Sequence, residues 1–354
     1  MNIITLDFET YYSDDFTLQK MTTEEYIRDP RFEVHGCGVR FEDGTTCWYP
    51  EPQLRGERPQ DRGGLFASIN WANTAVLCHH VQFDGLILSH VYGVIPKFWF
   101  DTLSMARLLV GNHLPKSLDA LAKHFMLGTK NMPYNLFKNK HWHELDTATQ
   151  NLVANGCCHD VELTWQLFQR LGETFPLEEY ELVDITVRMF TEPTLIGDTD
   201  LIGKVWHEEN QRKNEILARL GFDVTTDEGR AHASRQLQSA ALFQEMLEAR
   251  GVEIEYKDGK NGPIPAFGKK DQFMLDLLDD ADEEVAMLAA ARVEIKSTGM
   301  QTRAETLGNM AMRGALCVYL NYCGAHTTRW SGGDGTNFQN FKRKSDIRKA
   351  LVAP

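Results

Sequence analysis

The sequence has no C-x-x-C pair, and its cysteine count is odd, at seven, with Cys157 and Cys158 adjacent. That suits neither a disulfide framework nor a zinc ribbon, and a reducing cytoplasm is the simple expectation. No apolar run approaches the length of a membrane span. The start, MNIITLDFET, lacks the basic and apolar regions of a secretory signal. Positive charge is scarce: 37 Lys and Arg stand against 50 Asp and Glu, a net −13. This argues against a generally basic, DNA-coating protein. It leaves room for a local basic groove, because nucleic acid responds to nearby charge and not to the sum. No internal repeat or low-complexity tract is present. What remains is ordinary globular material: 354 residues, 42% hydrophobic and 25% charged, enough for two or three domains with their own cores.

The first part of the chain mixes strands and helices. Residues 3–8 alternate and are rich in β-formers. Segments 35–41 and 45–50 read as a hairpin around Asp43-Gly44, and 75–80 as another strand. Residues 83–92 and 102–110 read as helices, and 117–125 as a third, N-capped by Ser117. The stretch 127–143 reads as an irregular loop, and a long helix follows over 146–171. Beyond residue 176 the pattern is mostly helical, near 177–190, 199–219, 234–250 and 283–298, with a turn-rich insertion at 255–271. Segment 271–284 carries seven acids and reads as a solvated helix end. Residues 314–322 return to strand character. The expected boundaries fall near 175 and 320, giving segments 1–175, 176–320 and 321–354.

Carboxylates are the chemically informative feature. On a strand, residues i and i+2 share a face, so Asp7 and Glu9 in LDFET point the same way. Two adjacent carboxylates repel unless something positive lies between them, and oxygen ligands suit Mg²⁺ or Mn²⁺. Taken alone, the pair reads more simply as an exposed strand end. Asp84 follows a strand in CHHVQFDGLIL, on the first turn of a helix. Asp160 lies on the long helix, sharing a face with Leu163, Thr164, Leu167 and Leu171. An Asp on an apolar, inward face must be paired, hydrogen-bonded or metal-bound. A softer site from Cys78-His79-His80 with Cys157-Cys158-His159 is the weaker alternative, because adjacent ligands do not easily converge on one ion. HWH (141–143) reads as a loop packing on a neighbouring helix.

The order LDFET, HHVQFDGLIL, HDVELT resembles the three exonuclease motifs of DEDD-type 3′–5′ exonucleases. The resemblance implies an α/β, RNase H-like exonuclease domain, a mixed sheet with flanking helices. It implies that Asp7, Glu9, Asp84 and Asp160 hold two Mg²⁺ (or Mn²⁺) ions, which activate a water and stabilise the leaving 3′-oxygen in phosphodiester hydrolysis. Two of the motifs depart from the family pattern. His80 stands where the family usually has Asn. Gly156 and Asn155 stand where its two subclasses carry Tyr or His to orient the attacking water. Asn155 can hold a water, and His159 is near in sequence, about 100° around the helix from Asp160.

The second half carries another resemblance. IKSTGMQTR (295–303), GAHTTRWSGGDGTNFQN (324–340) and IRKALVAP (347–354) look like successive segments of phage-type family A DNA polymerases, and TEPTLIGDTDLI (191–202) like the joint between exonuclease and thumb. This implies a mainly helical thumb and a short palm fragment. Lys296, Ser297 and Thr298 offer a charge and two hydroxyls to phosphates. By resemblance Arg329 reaches toward the primer–template minor groove, where Asn337, Gln339 and Asn340 can bond base edges or sugars. FKRKSDIRK sets five cations, Lys342, Arg343 and Arg348 among them, against one Asp. IRKALVAP resembles the first palm strand, and no polymerase carboxylate follows it. The expectation is therefore a proofreading half of a split polymerase, not a polymerase on its own. It would act on single-stranded 3′ ends in the cytoplasm of a phage-infected bacterium, with a second polypeptide supplying palm and fingers. The final strand is expected as an exposed edge. A non-catalytic DNA-binding or assembly subunit, its nuclease site weakened at His80 and Gly156, is the alternative. A free-standing nuclease with a vestigial thumb is a third reading.

Overall fold

A computed structural model of the chain describes residues 1–55, 63–111, 113–297 and 299–353. They form two compact units. The first comprises Met1–Gly197, Met310–Arg343 and Leu351–Pro354, and the second Asp198–Asn309 and Lys344–Ala350.

The first unit is organised by strand β1 (Asn2–Thr10), buried along most of its length. Such a strand lies inside a sheet covered on both faces. It pairs antiparallel with β2 (Val34–Arg40) and parallel with β4 (Thr74–Cys78). β3 (Thr46–Pro50) and β5 (Phe98–Asp101) complete the order β3-β2-β1-β4-β5. The β2–β3 hairpin turns at Asp43-Gly44, where Asp43 accepts from Thr45 N at 2.8 Å and Gly44 takes φ 88°. Strand β5 was not expected from the sequence: four residues are too few to show an alternation.

Helix Thr147–Gly172 packs against β1, β2 and β3. Its closest approach is at Gly38, where a Cβ would come within 2.9 Å of Cys157 Sγ. Gly38 is the register partner of Asp7, so this glycine lets the helix down onto the sheet beside the first acid. Ser117 caps Leu118–His124 by accepting from Ala120 N. The stretch read as a loop holds a short helix, Tyr134–Phe137, and a 3₁₀ turn at Trp142–Glu144. Helix Leu177–Thr191 also belongs to the first unit.

Two strand expectations are corrected. Segment 314–322 forms only a two-residue ladder, Leu320–Asn321 with Ser331–Gly332, because Leu316 N and Val318 N donate instead to Leu195 O and Met189 O. Segment 347–354 opens with a helical turn, Asp346–Lys349, and Leu351–Val352 pairs antiparallel with Ile196–Gly197. The expected open edge is therefore paired within the chain.

The second unit is helical around Leu217, Leu237, Phe243, Leu247, Phe267 and Leu288. The helix expected over 234–250 is two helices, Asp227–Gln238 and Ala240–Glu248. Ser239 breaks the line with ψ 130° and caps the second helix by accepting from Leu242 N. The turn-rich insertion holds a small hairpin, Tyr256–Gly259 with Gly262–Pro265. In the acidic segment 271–284 the acids from Asp276 to Glu284 are exposed, as expected, while Phe273, Met274 and Leu277 bury the other face of helix Gln272–Leu278. Helix Gly299–Arg313 was not anticipated. No helix among the described residues is long and apolar enough to cross a membrane.

Candidate active site

Strand β1 delivers Asp7 and Glu9 to one face, with Glu9 buried and Asp7 partly so. The strand's pairing with β2 becomes irregular immediately after, between Glu9 and Thr10. Asp84 arrives from β4 through a tight turn. His80 adopts the left-handed conformation at φ 76°, and its amide donates to Asp101 Oδ1 at 2.8 Å. Asp101, fully buried, also caps helix Thr102–Val110. The short helix Val81–Leu86 then carries Asp84 inward, where its Oδ1 accepts from Phe8 N at 2.9 Å. Asp160 comes from the long helix and is 1% exposed. Its Oδ2 lies 2.6 Å from Lys130 Nζ, while Oδ1 has no hydrogen-bond partner.

The acids feel one another. Burial, followed by repulsion from Asp160, pushes the Asp7 carboxyl up to about 6 against the pull of Lys130. Burial and the charge of Asp7 hold both Glu9 and Asp84 well above the usual carboxylate range. Burial raises Asp160 too, opposed by Lys130. Burial works against the Lys130 ammonium, but Asp7 and Asp160 outweigh it and hold the group above its ordinary value. A site whose carboxylates all resist ionisation lacks cationic charge.

The donor set fits a hard divalent cation. Ligand atoms of Asp7, Glu9 and Cys157 lie within 4.8 Å of one another. Cys157 Sγ sits 3.2 Å from Asp7 O, and burial raises its thiol well above the ordinary value. The carboxylate oxygens beside it are the hard donors that suit Mg²⁺ or Mn²⁺. The soft cluster does not assemble: His79 bonds Thr102 Oγ1 and Lys116 O, His80 bonds Tyr319 Oη, and His159 bonds Thr129 O. In HWH, His141 pairs with Glu33 and stacks on Tyr11, while Trp142 packs on His35 and Trp48 and its carbonyl accepts from Gln150 of the long helix, so the loop meets both the sheet's hairpin region and the neighbouring helix.

The acids open onto a cavity of about 790 Å³, lined by Asp7, Glu9 and Asp84 together with Tyr12, Leu18, Phe83, Leu103, Lys130 and Tyr134. Its walls pair apolar and aromatic surfaces, suited to a planar base, with carboxylates at one side. Asn155 is exposed, and neither it nor His159 lines this cavity. His80 does line it. Sequence reasoning missed Lys130 and Tyr134, which lie in the stretch read as an irregular loop. The available signal was their i, i+4 spacing in GTKNMPYN.

The residues expected to grip duplex DNA fall in both units. Lys296 and Ser297 are exposed at the C-terminal end of helix Glu283–Lys296 in the second unit, and Thr298 lies outside the described residues. Arg348, exposed on the helical turn Asp346–Lys349, is also in the second unit. In the first unit Arg329, Gln339, Asn340, Lys342 and Arg343 are exposed. Asn337 is half-buried, and its side chain accepts from Gln339 N at 3.0 Å.

No protein-family model matches the chain, and no curated protein is similar to it in sequence. Solved structures are similar in fold. The POL domain of Pol1 from M. smegmatis, in complex with DNA primer-template and dNTP, aligns at TM-score 0.58 and 16% identity. The alignment covers 91% of this chain and 52% of that one, so this chain spans about half its length. Brucella melitensis NrnC is 17% identical over 52% of this chain and 81% of its own, at TM-score 0.38. The catalytic core of RRP6 from Trypanosoma brucei is 14% identical over 52% and 46% respectively, at TM-score 0.35. The likeness to the Pol1 POL domain is one of fold; within this chain the first unit is a mixed five-stranded sheet flanked by helices.

Proposed function

We propose that this chain is a divalent-metal-dependent 3′–5′ DNA exonuclease, the proofreading part of a family A-type polymerase, acting on single-stranded 3′ ends. The observation that carries the reading is the gathering of Asp7 and Glu9 from β1 and Asp84 from the helix Val81–Leu86 at one cavity, with Asp160 on the long helix near enough to repel Asp7. Their raised carboxyls and the unpartnered Asp160 Oδ1 are what a site short of cations looks like. In this reading those four residues hold Mg²⁺ or Mn²⁺, which when bound supplies Lewis-acid stabilisation of charge on the phosphodiester. The chain's own contribution is to fix the acids. Phe8 N holds Asp84, the strand pleat aligns Asp7 with Glu9, and the glycine at 38 seats the helix that bears Asp160. The cavity's aromatic and apolar wall takes the terminal base. The segments bearing Lys296, Arg329, Asn337 and Arg348 serve DNA in this reading.

The test is release of nucleotides from a 5′-labelled single strand in Mg²⁺ or Mn²⁺. Wild type should give a ladder shortening from the 3′ end. Asp7→Ala with Glu9→Ala should lower the rate about a thousandfold or more, the scale of losing preorganised electrostatic stabilisation. Equal release by the double variant ends the nuclease assignment. Tight binding of primer–template without any release favours the non-catalytic DNA-binding reading.

A further inference from the structure

The loop-like segment between the helices Leu118–His124 and Thr147–Gly172 reaches the acids for a reason visible at Gly156. A Cβ on that residue would come within 3.2 Å of Met132 Sδ and Cε and 3.3 Å of Met132 Cα. Contacts this short are tighter than most Cβ atoms make, so a side chain there would require Met132 to give way by a few tenths of an ångström. With glycine there, the backbone at Met132 lies against the helix, and the residues two positions to either side turn into the site. Lys130 Nζ sits 2.6 Å from Asp160 Oδ2 and 2.9 Å from Tyr134 Oη. Tyr134 is further fixed by Tyr12, whose hydroxyl donates to the Tyr134 carbonyl. Both Lys130 and Tyr134 line the cavity beside Asp7 and Glu9, and Tyr134 remains 46% exposed.

We propose that Tyr134 is a catalytic residue of this site, donating its hydroxyl proton in a hydrogen bond to a non-bridging oxygen of the scissile phosphate, with Lys130 as its positioning residue. The inference rests on the nuclease reading above. The phenolic oxygen accepts from the Lys130 ammonium, which orients it and leaves its single proton for another acceptor. A donor whose own oxygen accepts from a cation is polarised and strengthened. A phosphate oxygen is the acceptor that the acids and cavity would bring there. Hydrolysis adds one water across the P–O3′ bond: the hydroxyl goes to phosphorus of the released nucleotide and the proton to the 3′-oxygen of the shortened strand. Tyr134 neither gains nor loses a proton overall. It stabilises negative charge as phosphorus passes through its crowded state. The group thus comes from a segment outside the Asp160 helix, and Gly156 is what admits it.

The experiment uses the full chain, with single-strand hydrolysis in Mn²⁺, Mn²⁺ affinity by calorimetry and thermal unfolding measured side by side. Tyr134→Phe should lower kcat about 100-fold, with KM, Mn²⁺ affinity and Tm close to wild type. Lys130→Met should lower kcat similarly, and Lys130→Arg should restore part of it. The double variant should be no worse than the more damaged single variant, as for residues acting as a unit. Losses that simply multiply in the double variant, or that track a fall in Tm, assign the pair a structural role and overturn the proposal. So does a Tyr134→Phe protein with wild-type kcat. A wild-type protein that releases nothing sinks the nuclease reading itself, and this inference with it; an active wild type with an equally active Tyr134→Phe sinks this inference alone.

Discussion

At Glu24 one fully buried carboxylate meets two guanidinium groups; at Asp7, Glu9, Asp84 and Asp160 four carboxylates meet one ammonium among the described residues. Glu24 receives Arg28 at 2.8 Å and Arg313 at 2.6 Å, and both terminal nitrogens of Arg28 also donate to Ala315 O. The Glu24 charge is compensated there, and the cluster ties helix Thr23–Arg28 to the segment around Arg313. Arg292 in the second unit is held in another way. It is 1% exposed, donates to the carbonyls of Leu237 and Ser239, and lies over the faces of Phe243 and Phe267. The four acids gather like charge that one ammonium offsets only in part. The difference teaches that a buried charge supports a fold where its opposite lies beside it and strains it where like charges meet.

The comparison can be broken first at Glu24. Glu24→Gln leaves two arginines facing each other without their counter-charge and should cost about 3–5 kcal/mol, read from the urea midpoint. An unchanged midpoint would show that the cluster holds nothing. The acid site should respond in the opposite sense to pH. Asp7 has an ordinary value of 3.8 and stands at about 6 in the folded protein. Its protonated form is therefore favoured by folding, so the stability it contributes is full below about pH 4 and lost as pH rises through about 6. Asp7 alone corresponds to about 3 kcal/mol. Metal-free protein should melt at a lower temperature at pH 8 than at pH 5, and Mg²⁺ should raise the melting temperature far more at pH 8 than at pH 5. A pH-independent shift would break the picture of a site waiting for cations. A smaller effect sharpens it: Asp84→Asn keeps an oxygen for Phe8 N while removing one repelling charge. It should stabilise the metal-free protein at pH 8 by about 1–2 kcal/mol and diminish the Mg²⁺ response. Loss of stability would mean that the charge at Asp84 is compensated elsewhere.

Much of the first unit was legible because its elements obey local rules. The alternation in NIITLDFET, the Asp-Gly turn of the hairpin and the Ser117 cap all act within a few residues. The four acids were legible for a related reason: carboxylates on one strand face, after a strand, and on an apolar helix face have no comfortable solitary environment. What escaped reading depends on distant partners. Strand β5 exists because β4 offers an edge to FWFD. The strand character of 314–322 dissolved because neighbouring carbonyls took its amides. Lys130 and Tyr134 sat in a stretch with no periodicity, which is placed by the contact of Met132 with Gly156 and by hydrogen bonds to Asp119, His159 and Tyr12.

The sequence by itself determined which faces would be apolar, where turns would fall and that four acids needed company, since all of these follow from side-chain chemistry at short range. Tertiary structure decided which cation reached those acids and which hydroxyl stood beside them. Both depend on how the segment around Met132 packs and hydrogen-bonds against distant residues, and chain order carries no record of such distances until the chain has folded.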